Sequence, residues 1–132
     1  MRKFIAVALT VASLGIETAR AEITVGFVTS QSGPGSSIGV LYDRGMKAAV
    51  EYASSIGEEK IKFIQLDDGS DPSAATRNAR KLVEENKVDL LIGTATAPSS
   101  IAMVAVANEL KVPMISISPI TVPVTDTGDR WA

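Results

Sequence analysis

The chain has 132 residues, of which 45% are hydrophobic, and it contains no cysteine and no histidine at a formal net charge of −2. This length corresponds to one domain, and the composition excludes cysteine nucleophiles, Cys/His zinc sites and Ser-His-Asp triads. The mild acidity, without basic runs, argues against nucleic acid or an anionic membrane as a partner. We therefore expect no cofactor, no metal and no catalytic residues.

The N-terminus has the layout of a secretory signal peptide. The basic residues Arg2 and Lys3 precede an apolar run over residues 4–14, and Ala19 and Ala21 stand where a signal peptidase reads small side chains. The apolar run is too short for a membrane-spanning helix, which needs about 20 residues. We predict that residues 1–21 are removed and that the mature chain is periplasmic. A retained N-terminal helix is the alternative.

Strand-like and helix-like segments alternate along the mature part. Short β-branched runs bounded by turn residues predict strands, and apolar residues at helical spacing predict helices. The predicted strands cover residues 23–29, 61–66, 88–92 and 113–117, and the predicted helices cover residues 37–56, 72–86 and 98–110. Four strands that lack polar alternation, separated by three helices, predict a doubly wound α/β fold on a parallel sheet.

The ends of three predicted strands share an unusual composition. Residues 29–39, 93–100 and 116–121 are rich in small and hydroxyl-bearing side chains. Ligands of open parallel sheets bind beyond the carboxyl ends of the strands, where the strand order reverses. Helix N-termini behind the first two loops favour an anion such as a carboxylate. The pattern predicts a site for a small zwitterion or carboxylate, although such residues also serve as ordinary caps and turns.

The first of these loops has a partial likeness to a dinucleotide-binding fingerprint. Gly33, Gly35 and Gly39 are spaced as G-x-G-x-x-x-G, one residue longer than the fingerprint requires, and Pro34 lies inside the tight turn. An oxidoreductase is therefore disfavoured.

Three acids follow the second predicted strand. Asp67, Asp68 and Asp71 could be regarded as metal ligands. We interpret Asp67 and Asp68 instead as turn residues at a solvated strand end. Asp71 precedes Pro72, and an Asp followed by Pro is typical of a helix N-cap and first helical residue.

Five short segments of the mature chain occur in a recognisable order. They are Val25–Val28 before Ser32-Gly33-Pro34, Tyr42 with Gly45, the turn from Asp67 to Pro72, Leu91-Ile92-Gly93, and Val112–Ser116. Together they resemble the leucine/isoleucine/valine-binding proteins and their relatives over residues 22–125. The resemblance implies a type I periplasmic binding protein, in which two α/β lobes close on a ligand. It also implies that residues 22–132 are an incomplete N-terminal lobe.

The resemblance carries over to particular residues. In this family the loops after the third and fourth strands hold the carboxylate and ammonium of the ligand. This points to Thr96 and Ala97 in one loop, and to the Pro119 carbonyl and the Thr121 hydroxyl in the other. Ile38 is the candidate wall residue, where many members have an aromatic. Because Ala97 lacks the hydroxyl that the family often has there, Thr96 or Ser99 would supply it. The hydroxyl-rich first loop adds Ser32.

The implied function is solute binding. The resemblance implies a component of an ABC importer that binds an amino acid, of branched-chain type, or a related small carboxylate, and that works with a membrane permease. A ligand-sensing receptor domain of the same fold is the alternative, since nothing in a first lobe separates the two. A periplasmic enzyme would need a nucleophile with an activating base, and no recognisable motif supplies one.

Overall fold

The structure is a computed structural model, and it describes residues 22–120. The strands are β1 (Glu22–Thr29), β2 (Ser55–Ile56), β3 (Glu59–Asp67), β4 (Leu90–Gly93) and β5 (Met114–Ser116), and the helices are α1 (Ser36–Tyr52), α2 (Pro72–Glu84) and α3 (Ala97–Leu110). The strands form one sheet in the order β2-β3-β1-β4-β5, in which β1, β3, β4 and β5 run parallel. The predicted α/β fold is thereby confirmed. The predicted signal peptide and Thr121 lie outside the described residues.

A short hairpin stands where the sequence predicted the end of the first helix. The predicted helix over residues 37–56 was too long, because α1 ends at Tyr52 and β2 pairs antiparallel with the start of β3. Gly57 has a φ of 61°, a left-handed conformation that two-residue hairpin turns use. Gly57 therefore turns the chain between two strands instead of ending a helix. The hairpin adds a fifth strand to the four that were predicted.

The helices cover opposite faces of the sheet. On one face, Gln65 of β3 donates a hydrogen bond to Asp43 of α1 at 2.7 Å. The next residue, Leu66, packs against the cluster that contains Leu82 of α2. Successive strand residues point to opposite faces, so α1 lies on one side and α2 on the other, together with α3. The chain passes from β1 to its neighbour β3 and then across to β4, so the strand order reverses between β1 and β4.

The hydrophobic core lies between the sheet and the helices α2 and α3. Its buried residues are Val28, Ala75, Ala79, Leu82, Val88, Leu91, Met103, Val104, Val106, Ala107 and Met114. Full burial of one such aliphatic side chain stabilises the fold by about 1.5–3 kcal/mol. None of the helices within residues 22–120 has the length and apolar character of a membrane span.

The four parallel strands end at the same level. In the register of the sheet, Thr29 lies opposite Asp67, Val28 lies opposite Gly93, and Gly93 lies opposite Ser116. The connections that follow these strands therefore meet at one edge of the sheet. We call this edge the rim, and its loops are residues 30–35, 68–71, 94–96 and 117–120.

Candidate ligand-binding site

The rim loop after β1 is fastened to the end of β3. Ser32 Oγ donates to Asp67 Oδ2 at 2.7 Å, and the backbone N–H of Gln31 donates to Oδ1 of the same carboxyl group at 2.8 Å. Ser70 Oγ donates to the carbonyl of Ser32 at 3.0 Å and accepts from the N–H of Gly35 at 2.9 Å. The hydroxyl of Ser32, a predicted site residue, is therefore engaged within the protein.

These hydrogen bonds lower the pKa of Asp67. Partial burial by itself raises the pKa of the Asp67 carboxyl group. Hydrogen bonds from the Gly69 N–H, the Ser32 hydroxyl and the Gln31 N–H outweigh that effect and hold the pKa below its ordinary value. Asp67 is ionised at neutral pH, and its charge is used to hold the loop after β1.

Asp68 begins the turn after β3, as predicted, but it lies buried beneath the rim, so the prediction of a solvated position was wrong. Its exposed fraction is 1%. Its Oδ1 accepts from Ser30 Oγ at 2.7 Å and from the Ser70 N–H at 2.8 Å, and its Oδ2 accepts from Thr94 Oγ1 at 2.5 Å. Asp68 is buried because β1 lies next to β3 and β4 lies on the other side of β1. The loops that follow β1 and β4 therefore both reach this carboxyl group.

The third acid has a separate role. Asp71 caps α2 as predicted, since its Oδ1 accepts from the N–H of Ala74 at 2.6 Å and Pro72 follows as the first helical residue. Within residues 22–120, no group of three or more His, Cys, Asp or Glu side chains is placed to hold a metal ion. The three acids of this turn thus act on the protein itself.

A chain of buried hydroxyl groups continues from Asp68 across the rim. Ser100 Oγ accepts from the N–H of Thr94 at 3.0 Å and lies 3.2 Å from Ser118 Oγ. Thr94, Ser100 and Ser118 are all buried. Hydroxyl groups that the sequence offers as possible ligand contacts are consequently engaged within the protein, and they link the loops after β3, β4 and β5.

Two hydroxyl groups at the start of α3 remain unpaired. Thr96 Oγ1 and Ser99 Oγ are buried, and neither has a hydrogen-bond partner in the part of the chain that the structure describes. Thr96 is the N-cap residue of α3, but its side chain makes no capping hydrogen bond. A buried polar group without a partner costs about 1–3 kcal/mol, and groups of this kind are rare in native proteins. The start of α3 therefore holds two hydroxyl groups whose hydrogen-bonding capacity the described residues do not use.

The loops after β1 and β4 touch at the point where the strand order reverses. A Cβ placed on Gly35 would lie 2.6 Å from Cγ2 of Thr96. The absence of a side chain at Gly35 therefore permits this close approach. An α-helix N-terminus carries a partial positive charge and unsatisfied N–H groups, and no side chain caps the first turn of α3. The geometry favours an anion at this position.

The remaining predicted site residues lie on three different segments. Ala97 is the first residue of α3 and is partly buried. Ile38 lies in the first turn of α1 with 46% of its surface exposed, and Pro119 lies beyond β5 and is exposed. The structure thus brings Thr96, Ala97 and Ser99 together beside the loop after β1. Thr121 lies outside the described residues.

The buried network around Asp68 was not predicted from the sequence. A signal was available, since an acid directly follows β3 while Ser30 and Thr94 directly follow the two strands β1 and β4. Reading that signal required the strand order, which places β1 between β3 and β4.

The fold and this geometry define a class of protein. In open doubly wound sheets, small molecules bind where the strand order reverses, and in this chain the unpaired polar groups lie at that point. A family model described as periplasmic binding protein matches residues 22–131, and the chain belongs to this family. The resemblance of the five sequence segments to the leucine/isoleucine/valine-binding proteins and their relatives is confirmed.

Curated relatives are consistent with this membership. An amino acid binding protein from Pseudomonas aeruginosa is 32% identical over 126 residues, which cover 92% of this chain and 34% of that protein. A Leu/Ile/Val-binding protein homolog from Brucella suis is 31% identical and is matched over 92% of this chain and 32% of its own length. The chain spans about a third of the length of these relatives.

Solved structures have the same architecture. An extracellular ligand-binding receptor from Rhodopseudomonas palustris superposes with a TM-score of 0.71 at 42% identity, over 83% of this chain and 29% of that one. A branched-chain amino acid transporter substrate binding protein from Streptococcus pneumoniae, in complex with isoleucine, superposes with a TM-score of 0.69 at 28% identity. The match covers 78% of this chain and 30% of that one. A solute binding protein of an ABC transporter from R. palustris, in complex with 3,4-dihydroxybenzoic acid, superposes with a TM-score of 0.68 at 27% identity. The match covers 72% of this chain and 26% of that one.

Proposed function

We propose that this chain is the N-terminal lobe of an extracytoplasmic solute-binding protein that binds an amino acid or a related small carboxylate and delivers it to an ABC permease. The observation that carries the proposal is the pair of buried, unpartnered hydroxyl groups of Thr96 and Ser99 at the uncapped start of α3. A ligand carboxylate there accepts from both hydroxyls and from the N–H of Ala97. The role is binding and not catalysis.

The ligands of two relatives support a carboxylate. Isoleucine and 3,4-dihydroxybenzoic acid, which are bound in two of the similar structures, differ in their side groups but both carry a carboxylate. Because these proteins share the fold of this lobe, a carboxylate is the group that the lobe is proposed to bind. For a branched-chain amino acid, the exposed side chain of Ile38 supplies an apolar wall. The Pro119 carbonyl and the Thr121 hydroxyl are the proposed acceptors for an ammonium group.

The proposal includes a second lobe. Two walls are needed to remove a small ligand from water, and most ligands of this kind are buried over 70–90% of their surface. The structure describes one wall, and the relatives are about three times as long as this chain. We use the term full-length protein for this chain joined to a second lobe. Reading the gene beyond codon 132 tests this part, because a reading frame that ends there removes the second wall.

Export to the periplasm belongs to the same proposal. Residues 1–21 carry the signal-peptide pattern described above, and cleavage after Ala21 leaves Glu22, the first residue of β1, at the new N-terminus. N-terminal sequencing of the protein recovered from a periplasmic extract tests the cleavage position. A protein that retains Met1 in the cytoplasm contradicts export.

The binding experiment uses two conservative variants of the full-length protein. Thr96→Val and Ser99→Ala each remove one hydroxyl with little change in volume, and isothermal calorimetry measures binding of L-amino acids and small aromatic acids. We expect each variant to raise the dissociation constant of the ligand by about tenfold, the equivalent of one lost hydrogen bond to a charged group. Ser73→Ala is the matched control, because Ser73 lies in the first turn of α2 and is exposed. Unchanged binding in both variants refutes the site.

A sensing role is the second candidate. It is favoured by the similar structure from Rhodopseudomonas palustris, which is described as an extracellular ligand-binding receptor. The same lobe and the same carboxylate site would serve it. Permease and ATPase genes beside the gene for this chain favour transport, whereas a neighbouring kinase or regulator gene favours sensing.

A further inference from the structure

We infer that Asp68 is a positioning residue for the ligand site: its buried carboxyl group holds the loops after β1 and β4 together and thereby fixes the start of α3. The consequence for ligand affinity rests on the proposed function. The mechanical tie between the loops does not, because it is a property of the unliganded lobe.

The hydrogen bonds of Asp68 come from three separate rim loops. Ser30 follows β1, Ser70 belongs to the turn after β3, and Thr94 follows β4. The two oxygens of one carboxyl group therefore connect three loops at the point where the strand order reverses. Ser30 and Thr94 lie 38 and 26 residues away in the sequence, so this tie joins segments that no local structure would hold together.

The burial of Asp68 makes these hydrogen bonds hard to lose. Asp68 is 1% exposed, and within residues 22–120 no Lys or Arg forms an ion pair with it. The hydrogen bonds from the rim loops therefore offset the free energy lost when the Asp68 carboxyl group is removed from water. In a buried network, losing one donor leaves a polar group unpaired, so the loops are held in one arrangement.

The position of Asp68 is transmitted to the proposed ligand contacts through Thr94. Its hydroxyl binds Asp68, while its N–H donates to Ser100 Oγ in the first turn of α3. Thr96 follows two residues later and lies against Gly35 of the loop after β1. A shift of Thr94 therefore displaces both Thr96 and the first turn that carries Ser99. This is why we assign Asp68 a positioning role and not a ligand contact.

The test uses Asp68→Asn in the full-length protein, with Asp89→Asn as the matched control. Asp89 also ties β1 to the segment that leads into β4, because its Oδ2 accepts from the N–H of Thr24 at 2.8 Å, but it does so at the opposite edge of the sheet. Asn has nearly the shape of Asp, but an amide nitrogen in the place of Oδ2 cannot accept the hydrogen bond that the Thr94 hydroxyl donates.

Hydrogen exchange of the unliganded protein measures the tie directly. In Asp68→Asn we expect the amides of Gly35 and Thr94 to exchange about tenfold faster, as for the loss of one buried hydrogen bond. The amide of Leu91, which donates to the Pro113 carbonyl inside the sheet, should keep its rate. Asp89→Asn should leave both rim amides unchanged. Equal acceleration at Leu91 would mean general destabilisation, and no acceleration at the rim would mean no tie; either result overturns the inference.

Calorimetry then measures the effect on binding. We expect Asp68→Asn to raise the dissociation constant about tenfold, with no change for Asp89→Asn. Looser rim loops with unchanged affinity overturn the positioning role. If the unaltered protein binds no carboxylate, the proposed function fails and the binding role of Asp68 fails with it, while the exchange pattern still decides the tie.

Thr94→Val keeps the inference testable if Asp68→Asn does not fold. Valine matches threonine in shape and removes the hydroxyl that binds Asp68 Oδ2. We expect the Thr94→Val protein to show faster exchange at residue 94 and weaker ligand binding. Where both single variants fold, the double variant should bind no more weakly than Asp68→Asn, because both changes break the same hydrogen bond. Additive losses would show that the two residues act separately.

Discussion

The side chain of Thr96 packs so closely against Gly35 that a Cβ added to Gly35 would lie 2.6 Å from Thr96 Cγ2. The contact joins the loop after β1 to the loop after β4. It depends on a missing side chain and not on backbone freedom, since Gly35 has a φ of −86° that any residue adopts. The proposed carboxylate site is built on the Thr96 side of this contact.

Gly35→Ala should weaken ligand binding. The added methyl forces Thr96 away from the loop after β1, because Cβ atoms do not approach other carbons this closely. We expect a dissociation constant raised by about tenfold, together with an overpacking cost of about 1–3 kcal/mol in the free energy of unfolding. Calorimetry and urea unfolding measure the two effects. A Gly35→Ala protein that binds normally would show that the position of Thr96 is unimportant.

Gly45→Ala should stabilise the protein and leave binding unchanged. Gly45 lies inside α1, and a Cβ added there meets no atom within 4 Å. Replacing a glycine in a helix interior by alanine gains about 0.5–1 kcal/mol, because the unfolded chain loses freedom. Urea unfolding measures the gain, and Gly45→Ala serves as the control for Gly35→Ala. Loss of stability would indicate that α1 contacts further structure at this position.

Ser100→Ala should lower the stability of the protein, whereas Ser99→Ala should not. Both residues are fully buried and adjacent in α3. Ser99→Ala removes an unpartnered hydroxyl and should leave the free energy of unfolding unchanged or raise it. Ser100→Ala strands the N–H of Thr94 and should lower the free energy of unfolding by about 1–3 kcal/mol. Urea unfolding without ligand decides the point. Equal losses would mean that Ser99 has a structural partner.

Stability should fall in acid below about pH 4. The pKa of Asp43 is lowered by hydrogen bonds from Lys47 and Gln65, and the pKa of Asp67 is lowered by the rim hydrogen bonds described above. A carboxyl group whose folded pKa lies below its unfolded value of about 3.9 stabilises the fold above that value, and the contribution disappears as the pH falls through the folded pKa.

Urea unfolding between pH 7 and pH 2.5 measures this dependence. Asp67→Asn is the informative variant, since an amide does not titrate. The free energy of unfolding of this variant should fall less steeply with decreasing pH, by the amount that Asp67 contributes. A variant curve that runs parallel to that of the unaltered protein would show that the hydrogen bonds of Asp67 contribute no acid sensitivity.

Helix α2 was predictable because its signals are local. Asp71 and Pro72 mark its start through hydrogen bonding and φ preference within four residues, and the structure has both in those roles. The buried face of Ala75, Ala79 and Leu82 follows from spacing along one helix. Helix α3 is different, because it is apolar on most sides. Ile101 is 47% exposed whereas Met103 is fully buried, and only packing against the sheet and α2 distinguishes them.

The site was predictable in composition but not in detail. The sequence located small and hydroxyl-bearing residues at the strand ends, and the structure gathers these loops at the rim. Whether a hydroxyl is free depends on its neighbours. Ser32 and Ser100 are paired within the protein, whereas Thr96 and Ser99 are not. Spacing in the sequence does not separate these two pairs, since each is surrounded by similar residues.

The sequence by itself determined the order of the three helices and the four parallel strands and the cap of α2, because each depends on residues close together in the chain, and it indicated the family through the order of five short segments. The tertiary structure decided the burial of Asp68 and the choice of unpaired hydroxyls at the start of α3. Both follow from the placement of β1 between β3 and β4, which brings Ser30 and Thr94 to one carboxyl group from distant parts of the chain. Hydrogen bonds act over about 3 Å, so contacts between distant segments exist only once the sheet has assembled.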